Sequence, residues 1–546
     1  MNSQVELLQK YKKSGGVAGS DTIHATLTGY PDRTGPLKRC IESLVGQVDT
    51  LHVFLNGFDD IPGFLEHEKI FITRSQDFGD LGECGKYYWT DDLEGYHFIC
   101  SDRLVYPGNY VSTMIPKMEG HERKAVIGAG GFVIRTPFRN FSDSTVFLSE
   151  RQLIAKETPV SIINDQALAY HSSTIKVSRH YFYQPWLSAF WFSIIGKEQH
   201  IPLICCDHPV DWIVSSPEAE IGKNEGIGPG TYQNFLIKSF FIPEEKEIAE
   251  SGYSPFNAYF DKVWVMNLDR RPDRWNKIKQ TATHFNLKIS RFSAVDGSRG
   301  AAKSDWEHYF SSDLLTLPGG IEPLSDYKDK FLKYHHYKAR VHFMETKLRR
   351  KAIQSPGAWG YALSYIKIIK NAIEKDYRRI LIFDDDIILH HAFNAEFDRH
   401  IRELPPDWKL IMLGAMQHYW EPHITKVKDL FYHGYGSSVA SHAVGIDRKM
   451  FLPLLYYAEK MNLPIDEGAI FHIQNVYPDQ CFIFLPNLAI QDMGESDINS
   501  SKMGKDDVEK WVKLFRWDPG RYYYPKNIRL KKNVIHRFFR MLGRTD

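Results

Sequence analysis

The chain has almost no net charge: its 68 Lys and Arg face 67 Asp and Glu, which leaves +1 over 546 residues. No overall field of one sign therefore favours nucleic acid or an anionic membrane. Long hydrophobic runs are also missing. The most apolar stretch, 185–196, is about half the length of a spanning helix. The opening residues, MNSQVELLQKYKKSGG, hold no apolar signal-peptide core. Cysteine is scarce. Cys40, Cys84, Cys100, Cys205, Cys206 and Cys481 show no C-x-x-C spacing and no pairing pattern, which fits buried thiols in a reducing, cytosolic compartment. A phosphate-binding glycine loop is missing too. In 222–231 the Lys precedes most of the glycines, and the cluster 128–131 is expected before a strand, so both read as turns. What remains is a globular composition, 43% hydrophobic and 14% aromatic, in a chain too long for one core.

One stretch organises the rest. Residues 380–383, Ile-Leu-Ile-Phe, have the length and β-branched content of a buried strand, and they run into Asp384, Asp385 and Asp386. A strand covered on both faces carries no free carboxylates, so the chain must leave the sheet at Asp384. Three acids there crowd like charges, which costs electrostatic energy unless a cation neutralises them. A divalent ion with hard oxygen ligands, Mg²⁺ or Mn²⁺, suits the task. Ligands of open α/β sheets sit outside the carboxyl ends of the strands. Asp384 and Asp386 are therefore read as metal ligands that hold a phosphorylated ligand, a solvated acidic turn being the alternative.

The surrounding half repeats a strand-to-helix pattern. Residues 262–268 (KVWVMNL) read as a strand ending at Asn267, and Pro272 stands near the start of a helix. Residues 289–294 read as a second strand, ending at Val295, Asp296 and Gly297. Residues 300–350 show no clear period and are expected to be a lid or helical excursion. A helix opens at Pro356 and runs to about Glu374, with Ala362, Ile366, Ile369 and Ile373 spaced by three and four. Further strands are expected at 408–413 and 443–445, and an amphipathic helix at 450–459. Asn267 can hydrogen-bond a base or ribose. Arg270 and Arg274 suit a diphosphate, although a solvated first helical turn explains them as well. Asp296 and Gly297 can meet ribose hydroxyls or make a plain turn. Gly357, Gly360 and Ser364 form an anion site at a helix N-terminus, or merely cap it.

Four motifs in this half, 265–274 (VMNLDRRPDR), 294–297 (AVDG), 357–365 (GAWGYALSY) and 381–387 (LIFDDDI), resemble in order those of glycosyltransferase family 25. A weaker fifth is 488–498 (LAIQDMGESDI). This is the lipopolysaccharide-biosynthesis and collagen-galactosyltransferase family. The chain departs from it at Asp384, where Glu is usual, and at Tyr361 and Tyr365, where Cys and His are usual. The resemblance implies a nucleotide diphosphate sugar, a UDP-sugar first, as donor with Mn²⁺ or Mg²⁺. Asn267, Arg270, Arg274, Asp296, Gly297, Gly357, Ser364 and Asp385 would bind that donor. It also implies an Asp beside the acceptor. Asp466 is the candidate catalytic base, with a helix cap as the alternative. Asp492 is a second candidate, as base or as an additional metal ligand. His390 and His391 read as surface or core residues rather than ligands.

The first half carries expected strands at 23–28, 51–55, 70–73 and 96–100, with a helix over 36–45. Its motifs 80–86 (DLGECGK) and 95–110 (GYHFICSDRLVYPGNY) resemble a bacterial family-2-like transferase of the GT-A type. Where such enzymes carry a metal-binding acid run, this chain has Ser101-Asp102-Arg103. Where they carry an acidic base, it has Ala189. A guanidinium at the ion's place repels a second cation. The expectation is a retained fold without catalysis; the alternative is that Arg103 replaces the metal and the domain still transfers sugar.

The expected architecture is α/β: a leader over 1–20, a degenerate GT-A-like (Rossmann-like) domain over 21–245, a linker over 246–258, a family-25-like domain over 259–504 and a helical basic tail over 505–546. Each domain is expected to be a mostly parallel sheet flanked by helices. The tail mixes Arg529, Lys531, Lys532, Arg537 and Arg540 with Val534, Ile535, Phe538 and Phe539, which suits peripheral membrane contact or packing on its own domain. The expected function is metal-dependent transfer of a hexose, such as galactose, to a glycan or lipid-linked glycan in cell-surface polysaccharide (lipopolysaccharide or capsule) biosynthesis. The expected place is the cytoplasm or the inner membrane face, with no nucleic-acid partner. A bifunctional enzyme and a non-catalytic scaffold for polysaccharide assembly are the alternatives.

Overall fold

Alternation from His24 to Thr28 sends Ala25 and Leu27 to one face of a strand, β1 (Ile23–Gly29), in the computed structural model. That face meets Leu37, Cys40, Ile41 and Leu44 of α1 (Thr34–Leu44). Each such side chain fully removed from water contributes about 1.5–3 kcal/mol. The remaining strands of this sheet are β2 (Thr50–Leu55), β3 (Ile70–Arg74), β4 (Tyr96–Cys100), β5 (Val126–Gly128), β6 (Thr158–Pro159), β7 (Ala167–His171) and β8 (Leu203–Cys205). Their spatial order is β3-β2-β1-β4-β7-β5-β8-β6. The run from β3 to β4 is parallel, and β7 is reversed against both β4 and β5.

The structure describes residues 21–216, 229–242, 255–314, 344–345, 348–417, 425–434, 438–492, 515, 517 and 519–525. The chain divides into two units, Met1–Glu244 and Glu245–Asp546. The expected leader, most of the 222–231 cluster, most of the linker, residues 315–343, the end of the fifth motif and the basic tail 527–546 lie outside the described residues. Among the described residues no helix is long and apolar enough to cross a membrane. All six cysteines are buried and unpaired.

In the second unit the strands are β9 (Lys262–Asn267), β10 (Ser290–Ser293), β11 (Arg379–Asp384), β12 (Leu410–Met412), β13 (Lys426–Val427), β14 (Phe431–His433), β15 (Ala443–Asp447) and β16 (Cys481–Phe484), in the order β10-β9-β11-β15-β12-β16-β14-β13. Val263, Val265, Leu381 and Phe383 join Phe393, Phe397 and Trp408 in its core. The helices used below are α2 (Pro272–His284), α3 (Gly300–Ser311) and α4 (Pro356–Glu374).

Two expectations are corrected, the direction of the strands and the place of the 128–131 glycines. The sheets are mixed rather than mostly parallel. In each, one reversed strand, β7 or β15, lies directly beside the strand that leads into the acids. A strand's direction is set by its crossover and not by its own apolar pattern. The 300–350 stretch opens with a regular helix, α3, in keeping with the expected helical excursion; its residues are half-buried or exposed, which is why no apolar stripe marks it. The 128–131 glycines follow β5 as well as precede the strand Gly131–Ile134.

One face of the first sheet is unexpectedly polar. His24, His52 and His97 sit on adjacent strands, with the His24 ring 5.9 Å from His52 and 5.8 Å from His97. His24 Nε2 lies 3.0 Å from the Glu94 carbonyl and His97 Nε2 3.2 Å from that of Leu93, so each Nε2 carries a proton and donates there. Burial pushes all three pKa values down, His97 to about 3. The unfolded chain takes up protons near pH 6.5 and the native state does not, so stability falls as pH drops below that value. At pH 5 the loss is about 2 kcal/mol for His97 alone. The three histidines are expected to lower the melting temperature of the first unit when a calorimetric scan is moved from pH 8 to pH 5, against a smaller opposing gain as Asp102 protonates. His97→Gln should flatten that dependence, and a scan indifferent to pH would contradict it.

Candidate functional site

Strand β11 delivers its acids at the carboxyl edge of the second sheet, because Phe383 still faces the core while the next residues leave it. The Asp384 amide donates to the His442 carbonyl at 2.9 Å, its last contact of sheet type. The three carboxylates then divide. Asp384 Oδ1 accepts from the Tyr361 hydroxyl at 2.9 Å, and its Oδ2 lies 3.4 Å from Gln491 Nε2. Asp385 accepts from Asn267 Nδ2 at 2.7 Å and from Arg274 Nη1 at 2.9 Å. Asp386 Oδ2 takes the same Arg274 nitrogen at 3.2 Å, while its Oδ1 is buried with no hydrogen-bond partner. Burial first, and then the Asp386 charge, raises the Asp384 pKa well above the carboxylate range. Burial likewise raises Asp386, to about 6, against the pull of Arg274.

These acids open into a cavity of about 420 Å³. Its other walls are the segment 294–298, the first turns of α4, Arg270 and Arg274. Ser355 starts α4 by accepting from the Ala358 amide at 3.1 Å. Ser364 Oγ accepts from the Val295 amide at 2.8 Å and donates to the Gly360 carbonyl at 2.7 Å, tying that segment to the helix. The approach is close enough that a Cβ on Gly297 would lie 1.7 Å from the Pro356 carbonyl oxygen. Asp296 accepts from Ser298 at 2.6 Å and from Arg270 Nε at 3.0 Å. Burial works to raise its pKa, but these bonds outweigh it and the net shift is downward.

Of the residues expected at the donor site, Arg270, Arg274, Asp296, Gly297, Gly357, Ser364, Asp384, Asp385 and Asp386 line this one cavity. Asn267 does not. It is 1% exposed, its amide nitrogen donates to Arg271 and Asp385, and its oxygen accepts from Arg291 at 2.8 Å. Its contact with the site runs through Asp385. Asp492 comes to the edge of the triad: its amide donates to the Asp386 carbonyl at 2.8 Å, and Lys277 Nζ lies 2.7 Å from its carboxylate. Asp466 is elsewhere, in a wide π-type turn, Asp466–Ile470. Its carboxylate accepts from the Ala440 amide at 2.9 Å, outside the cavity lining. His390 is buried and His391 exposed, and both pack beside residues 521–522, away from the acids. The sequence reading missed Lys277, Ser441 and Gln491 entirely and noted Tyr361 only as a departure. Lys277 was accessible in principle, since it stands three residues beyond Arg274 on one helix face.

The first unit presents a comparable edge. The cation that meets Asp102 is Arg33, whose Nε donates at 2.9 Å, with Glu83 3.4 Å from the same guanidinium. Arg33 arrives from the β1–α1 connection, which folds over the edge, whereas the Arg103 carbonyl is tied to the Ser216 amide. Burial raises the Asp102 pKa to about 7 against the pull of Arg33, and Arg103 pulls it down less than Arg33 does. Ala189 sits in the helix Ser188–Glu198, where its carbonyl accepts from Ser193.

The sequence model of glycosyltransferase family 25 (LPS biosynthesis protein) matches residues 260–467. A glycosyltransferase 25 family member of Drosophila melanogaster is 23% identical over 265 residues, 48% of this chain and 36% of the fly protein. Human procollagen galactosyltransferase 2 is 26% identical over 163 residues, 29% of this chain and 21% of the human one. Human inactive glycosyltransferase 25 family member 3 is 26% identical over 166 residues, 30% of this chain and 23% of its own. The chain thus spans about a third or less of each of these relatives. The matched residues hold the acid strand, both arginines and the start of α4, and so the second unit carries a glycosyltransferase family 25 domain over residues 260–467.

Proposed function

We propose that the second unit transfers a hexosyl group from a nucleoside diphosphate sugar, a UDP-sugar first, to a hydroxyl of a glycan or lipid-linked glycan. One observation carries the reading: three acids, two arginines and a helix N-terminus share one cavity at the carboxyl edge of a sheet. Arg270 and Arg274 would take the diphosphate, and the α4 N-terminus adds donors for its oxygens. Gly297 and Asp296 would meet the ribose.

A divalent cation fits these residues. The three carboxylates outnumber the Arg274 guanidinium, two of them are held out of their ordinary range by burial, and Asp386 Oδ1 has nothing to bond to. Among the described residues no three acidic, His or Cys side chains converge to chelate an ion by themselves. Mn²⁺ and Mg²⁺ commonly take one or two carboxylates and complete their shell with substrate phosphates. Asp384 and Asp386 would hold the ion, and it would offset the charge that develops on the leaving diphosphate. Arg274, already on Asp385 and Asp386, is placed to share that task. Asp492, whose amide donates to the Asp386 carbonyl and whose carboxylate lies 2.7 Å from Lys277 Nζ, is the better placed candidate to take the acceptor proton. Asp466 would serve the acceptor side only from beyond the cavity wall.

The family's link to LPS biosynthesis and the procollagen galactosyltransferase relatives support galactose and a cell-surface polysaccharide as the first donor and acceptor classes to try. The first unit, with its parallel strands, reversed β7 and Arg33 on Asp102, supports a GT-A-like fold without its own metal chemistry. A scaffold reading draws on the relatives named inactive, and the intact Asp384–Asp386 run speaks against it.

The test is release of nucleoside diphosphate from a panel of nucleotide sugars by the full chain. Slow donor hydrolysis is expected with UDP-hexoses, abolished by EDTA and restored by added Mn²⁺. No turnover of any donor at any metal concentration would overturn the reading.

A further inference from the structure

Two tyrosines one helical turn apart on α4, Tyr361 and Tyr365, reach the same loop. Tyr365 Oη donates to the Ser441 carbonyl at 3.0 Å. Tyr361 Oη lies 2.9 Å from Asp384 Oδ1, 3.0 Å from Ser441 Oγ and 3.2 Å from the Ser441 carbonyl. A phenol has one proton. With Asp384 ionised, as a cation ligand would be, the carboxylate is the stronger acceptor, so that proton goes to Asp384 and the Ser441 hydroxyl donates in turn to Tyr361.

The loop that receives them is held from three further sides. Asp466 accepts from the Ala440 amide at 2.9 Å, and Ala440 has φ +69°, a left-handed conformation that a residue with a side chain adopts only when its surroundings impose it. The His442 carbonyl accepts from the Asp384 amide at 2.9 Å. His442 is itself buried, with Nε2 3.1 Å from the Ala489 carbonyl. The relay Ser441–Tyr361–Asp384 therefore starts from a fixed point, and it ends on one oxygen of the acid while the other turns toward Gln491.

We propose that Tyr361 is a positioning residue for the cation ligand Asp384: its hydroxyl takes up one carboxylate oxygen, sets the plane of the group, and leaves the second oxygen for the ion. The proposal rests on the cation reading of Asp384 given above. Tyr361 also lines the cavity, whereas Tyr365 does not, so the two phenols share an anchor and differ in their contact with the acid. Partners that orient a metal ligand typically alter metal affinity by about 10–100-fold when removed. Holding one oxygen in place also matters because a carboxylate in a buried site has few other donors to steady it.

The test uses Mn²⁺ alone, titrated into the metal-free full-length protein and followed by the paramagnetic resonance of the free ion. Tyr361→Phe removes one oxygen and keeps the ring, so the fold is expected to survive, as a melting scan would verify. Mn²⁺ affinity is expected to fall at least about tenfold in Tyr361→Phe and about twofold at most in Tyr365→Phe. In turnover, Tyr361→Phe should raise the Mn²⁺ needed for half-maximal rate while the donor KM at saturating Mn²⁺ stays near wild type. Equal losses in both variants would assign the effect to loop packing and overturn the proposal, as would an unchanged or higher affinity in Tyr361→Phe. Wild-type protein that binds no Mn²⁺ would instead overturn the cation reading itself, so the two failures are distinguishable.

Discussion

The double substitution Asp384→Asn, Asp386→Asn is expected to lower sugar transfer by about a thousandfold or more and yet to leave a protein that melts higher than wild type in the absence of metal. The activity loss follows from what the two oxygens would do. Charge that develops on a leaving diphosphate is stabilised by several kcal/mol when a cation is fixed beside it, and each kcal/mol matters exponentially. The gain in melting temperature follows from what the acids do when no cation is present. Asp384 is 9% exposed, and burial together with the Asp386 charge disfavours its ionised form. Asn keeps the shape and removes the like-charge repulsion. Tyr361, which donates to Asp384, can donate equally to an Asn carbonyl. Arg274 keeps Asp385 as its partner at 2.9 Å, so no cation is stranded. Turnover assays with and without Mn²⁺, run beside calorimetry in EDTA, check both halves of the expectation. A double variant that transfers sugar at the wild-type rate would remove the acid site from the chemistry. One that melts much lower would mean that the acids hold the fold together.

How much of this was legible before the fold was known depends on distance along the chain. The Asp384–Asp386 run was legible because its chemistry is contiguous: an apolar strand and three acids follow each other with nothing between. Arg270 and Arg274 were legible for the same reason, being a strand end and a helical first turn. Pairings between remote residues were not. Lys277 meets Asp492 across 215 positions, and Tyr361 meets Asp384 across 23. In the first unit the guanidinium that reaches Asp102 comes from Arg33, 69 positions away and outside the motif that holds the acid. The reversed strands β7 and β15 were invisible because an apolar run reads the same in either direction. Asn267 shows the opposite kind of miss. Its place at a strand end was right, but its amide is used up inside the protein, and only the surrounding hydrogen bonds reveal that.

Gly297→Ala is expected to damage the donor cavity more than any other single methyl placed in this unit's wall. Segment 294–298 lies against the α4 N-terminus with no space for a side chain. An added Cβ would sit 1.7 Å from the Pro356 oxygen and 2.8 Å from the Gly360 nitrogen. The reciprocal change at Gly360 meets the Val295 oxygen at 2.4 Å and the Gly297 nitrogen at 2.5 Å. The obstructing atoms are backbone, so no rotamer change relieves the clash. Either the first turn of α4 moves, which strains the Ser355 cap and the Ser364 bond to Val295, or segment 294–298 lifts away. Overpacking of this kind costs about 3 kcal/mol, which lowers the melting temperature of the unit by roughly 6–12 °C. Lifting the segment moves Asp296 off the cavity, so donor KM should rise more than tenfold in whatever fraction stays folded. Gly46→Ala, where nothing lies within 4 Å, is the matched control and should leave both measurements unchanged. A Gly297→Ala protein with wild-type melting and wild-type donor KM would show that segment and helix do not meet as described. The donor cavity would then lack the wall that brings Asp296 and the α4 N-terminus together.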